Sequence, residues 1–347
     1  MGGLQPASRV RAGTLFSPLA ALISGTFSLT GSCMSLVSIP ANPVPDGAVS
    51  GTITTPDGVS LRYARFAPPP GRKGTVCVFT GRGEQIEKYF ETVRDLQDRG
   101  FAVAALDWRG QGGSARGLSD ARKGYVRDFA DFEIDVETFY RQVVLPDCPP
   151  PYFALAHSMG GAVMLRIAHA GKNWFERYVL SAPMIDLPGR TTSWPVRALV
   201  LTMRLAGLGG RYVPGGDDAL VGTPPFADNP LTSDPVRYAR NAAILDEDPS
   251  LGIAAPTVAW ADTAFRAMHG FRETSYPSKI RQPILMMAAG SDSIVSTPAI
   301  EEFAYHLHCG SHLVIPGSRH EILQEQDRYR AQFWAAFDAF VPGSAAF

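Results

Sequence analysis

The chain has 347 residues, 45% of them hydrophobic and 19% charged, with a formal net charge of −1. That length suffices for one large α/β domain plus an insertion, and a charge so close to zero sets up no overall field to attract nucleic acid or an anionic membrane. Four widely separated cysteines (Cys33, Cys77, Cys148 and Cys309) show neither metal-ligand spacing nor a disulfide framework.

At the N-terminus, Arg9 and Arg11 precede the apolar-leaning stretch Thr14–Leu29, laid out like the charged and apolar regions of a signal peptide. Serines, Pro18 and Gly25 interrupt it, and it falls short of the ~20 predominantly apolar residues of a spanning helix. Thr30-Gly31-Ser32-Cys33 is a weak match to a lipoprotein cleavage box. A third reading, favoured here, starts the protein at Met34, because the pattern of a folded domain needs nothing upstream. The expected compartment is then the cytoplasm, with membrane association open, and with export the alternative if residues 1–33 act as a signal.

Residues 49–66 read as a hairpin about the turn Thr55-Pro56-Asp57-Gly58, followed by a Pro/Gly-rich loop over Ala67–Gly74. Strand and helix patterns then alternate: 75–80, 84–99, 101–106, 124–144, 152–157, 160–171 and 177–182. The strands are continuous apolar runs, as expected of a largely parallel sheet covered by helices on both faces. The alternation stops near Pro183 and resumes at Gln282. This divides the chain into an N-terminal extension (1–44), a first core part (45–182), a proline-rich helical insertion in the position of a cap (183–281), a second core part (282–340) and a tail (341–347). In the insertion, Ser193-Trp194-Pro195 starts a helix whose continuation, Val196–Leu208, carries Arg197 and Arg204 on one face. Packing against the core is the favoured reading of that helix; an acyl-chain wall or a membrane-facing lid is the alternative. Trp260, Phe265 and Met268 either line the same space or form the insertion's own core.

The most informative stretch is Ala156-His157-Ser158-Met159-Gly160-Gly161. An apolar strand leads into it and an apolar helix leaves it, so Ser158 stands at the tip of a sharp strand–turn–helix, with the next N–H groups at a helix N-terminus. Small residues two before and two after the serine let strand and helix approach. An ordinary turn with a capping serine is the competing reading. A serine nucleophile needs a base, and the base an orienting carboxylate. Both occur in order at later strand ends: Asp292 follows the apolar run 283–289, and His320 follows 312–315 in the turn Pro316-Gly317-Ser318-Arg319-His320 before a helix. The chain has seven histidines, and His320 is the one directly after a C-terminal strand. The loop Thr80-Gly81-Arg82-Gly83-Glu84 offers a second backbone donor, the Arg82 N–H, to join that of Met159 in an oxyanion hole. A glycine-rich turn capping the next helix competes with that reading.

On these residues the chain resembles α/β-hydrolases of the lysophospholipase L2 and monoacylglycerol lipase type, within the serine aminopeptidase S33 group. The likeness is carried by Thr80–Glu84, Asp107-Trp108-Arg109-Gly110-Gln111-Gly112-Gly113-Ser114, His157–Gly161, Asn229-Pro230-Leu231-Thr232-Ser233-Asp234, Gly290-Ser291-Asp292 and His320-Glu321-Ile322-Leu323. It departs from the pattern at Thr80 and Gln111, where relatives often carry histidine, and at Ala156, where they carry glycine. The resemblance implies an α/β-hydrolase fold with a helical cap, and a hydrolase of amphiphilic lipid esters with Ser158, Asp292 and His320 as triad and Met159 and Arg82 as oxyanion donors. It implies no cofactor, no metal and no nucleic acid, a small-molecule lipid ester as substrate, and a transient membrane-surface contact through the cap. Two alternatives stay open. A proline iminopeptidase-type enzyme would use cap carboxylates such as Asp217, Asp218 or Asp246-Glu247-Asp248 to hold an ammonium. An inactive binding protein of this fold would usually have lost a triad member, and here all three positions are filled.

Overall fold

The computed structural model describes residues 1–2, 35–68 and 73–343; the signal, lipoprotein-box and Met34 readings fall outside them. Eight strands form one sheet: β1 (Ala48–Thr54), β2 (Ser60–Phe66), β3 (Thr75–Phe79), β4 (Ala102–Leu106), β5 (Tyr152–His157), β6 (Arg177–Ser181), β7 (Ile284–Ala289) and β8 (Gly310–Ile315). The spatial order is β1-β2-β4-β3-β5-β6-β7-β8. β1 and β2 form the expected hairpin, with Thr54 opposite Ser60, and β2 is antiparallel to β4. The remaining neighbours are parallel.

The helices are α1 (Phe90–Asp98), α2 (Asp131–Phe139), α3 (Leu145–Asp147), α4 (Met159–His169), α5 (Trp194–Leu205), α6 (Pro235–Glu247), α7 (Val258–Phe271), α8 (Ser275–Ser278), α9 (Thr297–Tyr305) and α10 (Asp327–Phe340). Two expected helices start late. The stretch 84–99 opens with a 3-10 turn at Ile86–Tyr89 before α1. The stretch 124–144 is helical only from Asp131, because Asp128 and Asp131 turn their carboxylates onto the N–H groups of Ala130 and Asp128, respectively, which favours a turn over a continued helix.

Alternation along the strands explains how both faces are covered. In β3, Val76 and Val78 meet Phe90, Val93 and Leu96 of α1 and Phe333 and Phe337 of α10. Cys77 and Phe79 point the other way, toward Phe132, Val136 and Phe139 of α2 and the apolar side of α4. All of these side chains are buried, so both faces read as apolar in the sequence. Cys77 and Cys148 are buried free thiols and Cys309 is exposed. No helix among the described residues is long and apolar enough to cross a membrane.

The segment between β6 and β7 carries α5 to α8. Of α5 only Val200 is buried, while Trp194, Leu199, Leu201 and Leu205 are exposed, so core packing accounts for only a narrow strip of that helix. Val200 meets Val258 and Ala261 of α7, and Arg204 ties α5 to α7 through Asp262 at 2.6 Å. The insertion is latched to the core by charge: Glu91 of α1 receives Arg237 and Arg240 of α6 and Arg330 of α10, each at 2.6 Å. The chain before β1 reinforces this latch, with Ile39 packed on Ile244, Leu245 and Leu251.

Candidate active site

The turn after β5 is sharp and closely packed. Ser158 has φ 49° and ψ −113°, a left-handed conformation that L-residues with a side chain avoid, at a cost of about 1–3 kcal/mol. The surroundings enforce it. Ser158 N donates to Ser181 O at 3.0 Å, and Ser158 O accepts from Ala162 N and Met184 N. Gly160 is required by contact: a Cβ there would lie 2.5 Å from Phe79 O and 2.7 Å from Thr80 O. Ala156, which stands in place of the usual glycine, fits as a buried strand residue paired with Phe79 and Leu180.

Three distant segments meet at this serine. His320 Nε2 lies 3.0 Å from Ser158 Oγ, and His320 Nδ1 lies 2.8 Å from Asp292 Oδ2. The other carboxylate oxygen of Asp292 accepts from Ile294 N at 2.7 Å and Val295 N at 3.0 Å. Burial by itself would raise the Asp292 pKa; the His320 hydrogen bond and charge and these two N–H groups outweigh it and hold the carboxyl below its ordinary value. An anionic carboxylate fixed in this way sets the Nδ1–H tautomer and leaves Nε2 free to accept the serine proton.

The loop after β3 lies against the elbow. Gly81 stands so close to His157 that a Cβ would be 2.8 Å from its Nδ1. Gln111 pins the loop by donating to Gly81 O (2.7 Å) and Glu84 O (3.0 Å) and accepting from Gly83 N, so a histidine in its place is not required for this task. Thr80 O accepts from Trp108 Nε1 at 2.8 Å. Among the described residues, the N–H groups of Arg82 and Met159 have no acceptor, which leaves both available to a developing oxyanion.

Beneath these elements lies a buried charge network that sequence reasoning missed. His157 Nδ1 is 3.2 Å from Glu84 Oε2 and its Nε2 is 3.3 Å from the carbonyl of His320. Glu84 Oε2 also accepts from Gly81 N and from Tyr89 OH at 2.7 Å. Lys88 bridges Glu84 Oε1 (2.9 Å) and Glu321 Oε1 (2.6 Å). Burial opposes charge on both Glu84 and His157. Lys88 and His157 nevertheless hold Glu84 well below the ordinary carboxylate range, and Glu84 in turn holds His157 above the ordinary imidazole value. The network joins the glycine loop, the elbow and the histidine loop in one unit. Its only sequence signal was the Glu84–Lys88 spacing of an i,i+4 pair, which equally describes a solvated helix face.

The carboxylates considered for an ammonium are occupied or exposed. Asp218 pairs with Arg122 at 2.7 Å, Asp217 accepts from Ala219 N, Asp248 caps the turn at Ser250, and Asp246 and Glu247 are exposed. Trp260 and Phe265 are half-buried, and Met268 is buried in the core shared with α4.

The family described as serine aminopeptidase, S33 matches residues 70–327. Lysophospholipase L2 of Escherichia coli is 31% identical over 288 residues, covering 79% of this chain and 82% of its own. The monoacylglycerol lipase of Mycolicibacterium smegmatis is 26% identical over 275 residues, covering 78% and 89%. Among solved structures, a soluble variant of monoglyceride lipase from Saccharomyces cerevisiae superposes with a TM-score of 0.66 at 22% identity, over 86% of this chain and 95% of its own. A thermostable carboxyl esterase from Bacillus coagulans does so with a TM-score of 0.69 at 21% identity, over 86% and 99%.

Proposed function

The chain belongs to the serine aminopeptidase S33 family and has the α/β-hydrolase fold, and from this premise we propose that it hydrolyses carboxylic esters of amphiphilic lipids, lysophospholipids or monoacylglycerols, through an acyl-enzyme on Ser158. The observation that carries this reading is the hydrogen-bonded line from Ser158 Oγ through His320 to Asp292, at 3.0 and 2.8 Å. Ser158 attacks the ester carbonyl as His320 Nε2 takes its proton. Asp292 keeps the ring oriented and balances the imidazolium. The N–H groups of Met159 and Arg82 receive the oxyanion. His320 returns the proton to the leaving alcohol, then activates the water that releases the fatty acid.

Residues 183–281 act as the cap over this site in our reading. The exposed Trp194, Leu199, Leu201 and Leu205 of α5 give it an apolar face suited to transient contact with the aggregated lipid in which such substrates reside. The test is fluorophosphonate labelling of wild type and Ser158→Ala, alongside release of fatty acid from lysophosphatidylcholine and monoacylglycerol. Labelling confined to the wild type, with turnover of either lipid, is expected. Equal labelling of the two proteins would remove Ser158 as nucleophile, and faster cleavage of aminoacyl arylamides than of lipid esters would move the reading to a peptidase.

A further inference from the structure

Arg82 enters the site by its backbone, yet its side chain is an unexplained charge. Its guanidinium reaches from the glycine loop to the insertion, where Nη2 donates to Ala254 O at 2.6 Å and Cζ lies 5.1 Å from the centre of the Trp260 ring. Arg62, Arg109, Arg204, Arg237 and Arg330 each face a carboxylate. Among the described residues Arg82 faces none. Its Nε is buried without an acceptor, and burial pulls its pKa down to about 10. A desolvated cation with an unused donor is costly unless an anion arrives to meet it.

A second orphaned donor lies beside it. The hydroxyl of Tyr212 is buried with no partner. Tyr212 pairs with Thr257, three residues before Trp260, and Thr257 donates to the carbonyl of Gly124. Gly124 borders the Arg82 guanidinium, since a Cβ on it would lie 3.7 Å from Nη2. Lys123 adds positive charge, with Nζ 5.2 Å from the centre of the Tyr212 ring. The nearby acids are engaged: Asp120 with Lys123 and Arg122, and Asp218 with Arg122. Trp260 lies against the guanidinium in a cation–π contact, which restricts where the side chain can move.

We infer that Arg82 and Tyr212 form a subsite for the phosphate of the substrate's alcohol portion, so that the site prefers esters of glycerol phosphate to neutral monoacylglycerols. This rests on the ester-hydrolase reading above. A guanidinium edge and a hydroxyl together match the oxygens of a phosphate, whereas the hydroxyls of a neutral glycerol leave the charge uncompensated.

The test compares kcat/KM of the full chain for lysophosphatidic acid, lysophosphatidylcholine and monoacylglycerol bearing the same acyl chain. The proteins are wild type, Arg82→Met, Arg82→Lys and Tyr212→Phe, with thermal melts to check folding. Using a ratio cancels any effect that a substitution has on the oxyanion loop. The phosphate-over-neutral ratio is expected to fall about 10- to 100-fold in Arg82→Met, mainly through KM, to recover in part in Arg82→Lys, and to fall severalfold in Tyr212→Phe. Glycerol 3-phosphate should compete with a neutral ester in wild type and not in Arg82→Met. A ratio unchanged in both Arg82→Met and Tyr212→Phe would overturn the subsite while leaving the hydrolase reading intact. Arg82-dependent inhibition by inorganic phosphate, without any Arg82-dependent preference among the esters, would overturn the headgroup assignment in favour of a free-anion site. Failure of the wild type to cleave any of the three lipids would instead strike the ester-hydrolase reading itself.

Discussion

Replacing Gly160 by alanine probes whether the elbow and the glycine loop act as one piece. The added methyl would sit 2.5 Å from Phe79 O and 2.7 Å from Thr80 O; relieving both contacts needs a shift of roughly 0.9 Å to reach ordinary van der Waals separation. Neither atom can swing away as a side-chain tip would. Phe79 is held between β4 and β5, and Thr80 O is held by Trp108 Nε1. The strain therefore falls on the start of α4 and on the loop, the two segments that carry Met159 N–H and Arg82 N–H. Overpacking of this kind costs about 1–3 kcal/mol of stability, and loss of one oxyanion donor costs about 10²–10³ in kcat. Gly160→Ala is expected to melt several degrees below wild type and to lose about 10²-fold or more in kcat, with KM changed far less. Thermal melts and single-turnover release from a chromogenic ester measure the two. Wild-type kcat with an unchanged melting temperature would refute the coupling of elbow and loop.

Asp292→Asn should keep the fold and lower kcat by about 10³–10⁴, because an amide no longer fixes the Nδ1–H tautomer of His320 or balances its charge; steady-state rates with circular dichroism as a fold control check it. Lys88→Met strands the carboxylates of Glu84 and Glu321, which are 4% and 5% exposed, and should destabilise the protein by about 3–5 kcal/mol in urea titrations. Glu84→Gln tests the pH linkage. The depressed Glu84 pKa contributes stability present above its unfolded value of about 4.5 and lost as pH falls below it. The raised His157 pKa contributes stability present below about 6.5 and lost as pH rises through its folded value. The difference in melting temperature between wild type and Glu84→Gln should therefore be largest between about pH 4.5 and 6.5; a difference independent of pH would contradict the ion pair. Finally, Trp194→Asp with Leu205→Glu, which alter side chains that are 79% and 80% exposed, should leave the melting temperature in place while reducing binding to phospholipid vesicles in a flotation assay.

Strands β3 to β7 were legible because they are buried on both faces, which makes them apolar runs of five or six residues separated by helical periodicity. The elbow was legible because a strand–turn–helix with small residues around a serine leaves a local mark. The start of α2 was misread because side chains of Asp128 and Asp131 compete for backbone N–H groups, and a periodicity pattern does not register that competition. The face of α5 was misread because its sequence suits a buried strip as well as an exposed apolar side, and only its neighbours decide between them.

The parallel architecture, the order of Ser158, Asp292 and His320, and their placement at strand ends can be read from the chain alone, because these are properties of local pattern. That the three side chains lie within hydrogen-bond reach is visible only in the folded molecule. The tertiary structure alone also decided that Glu84, Lys88, His157 and Glu321 share one buried network, and that Arg82 is left without a carboxylate. Pairing between groups as far apart in sequence as Lys88 and Glu321, 233 positions, depends on which loops the sheet brings to one edge, and on how far burial strengthens the charges that meet there.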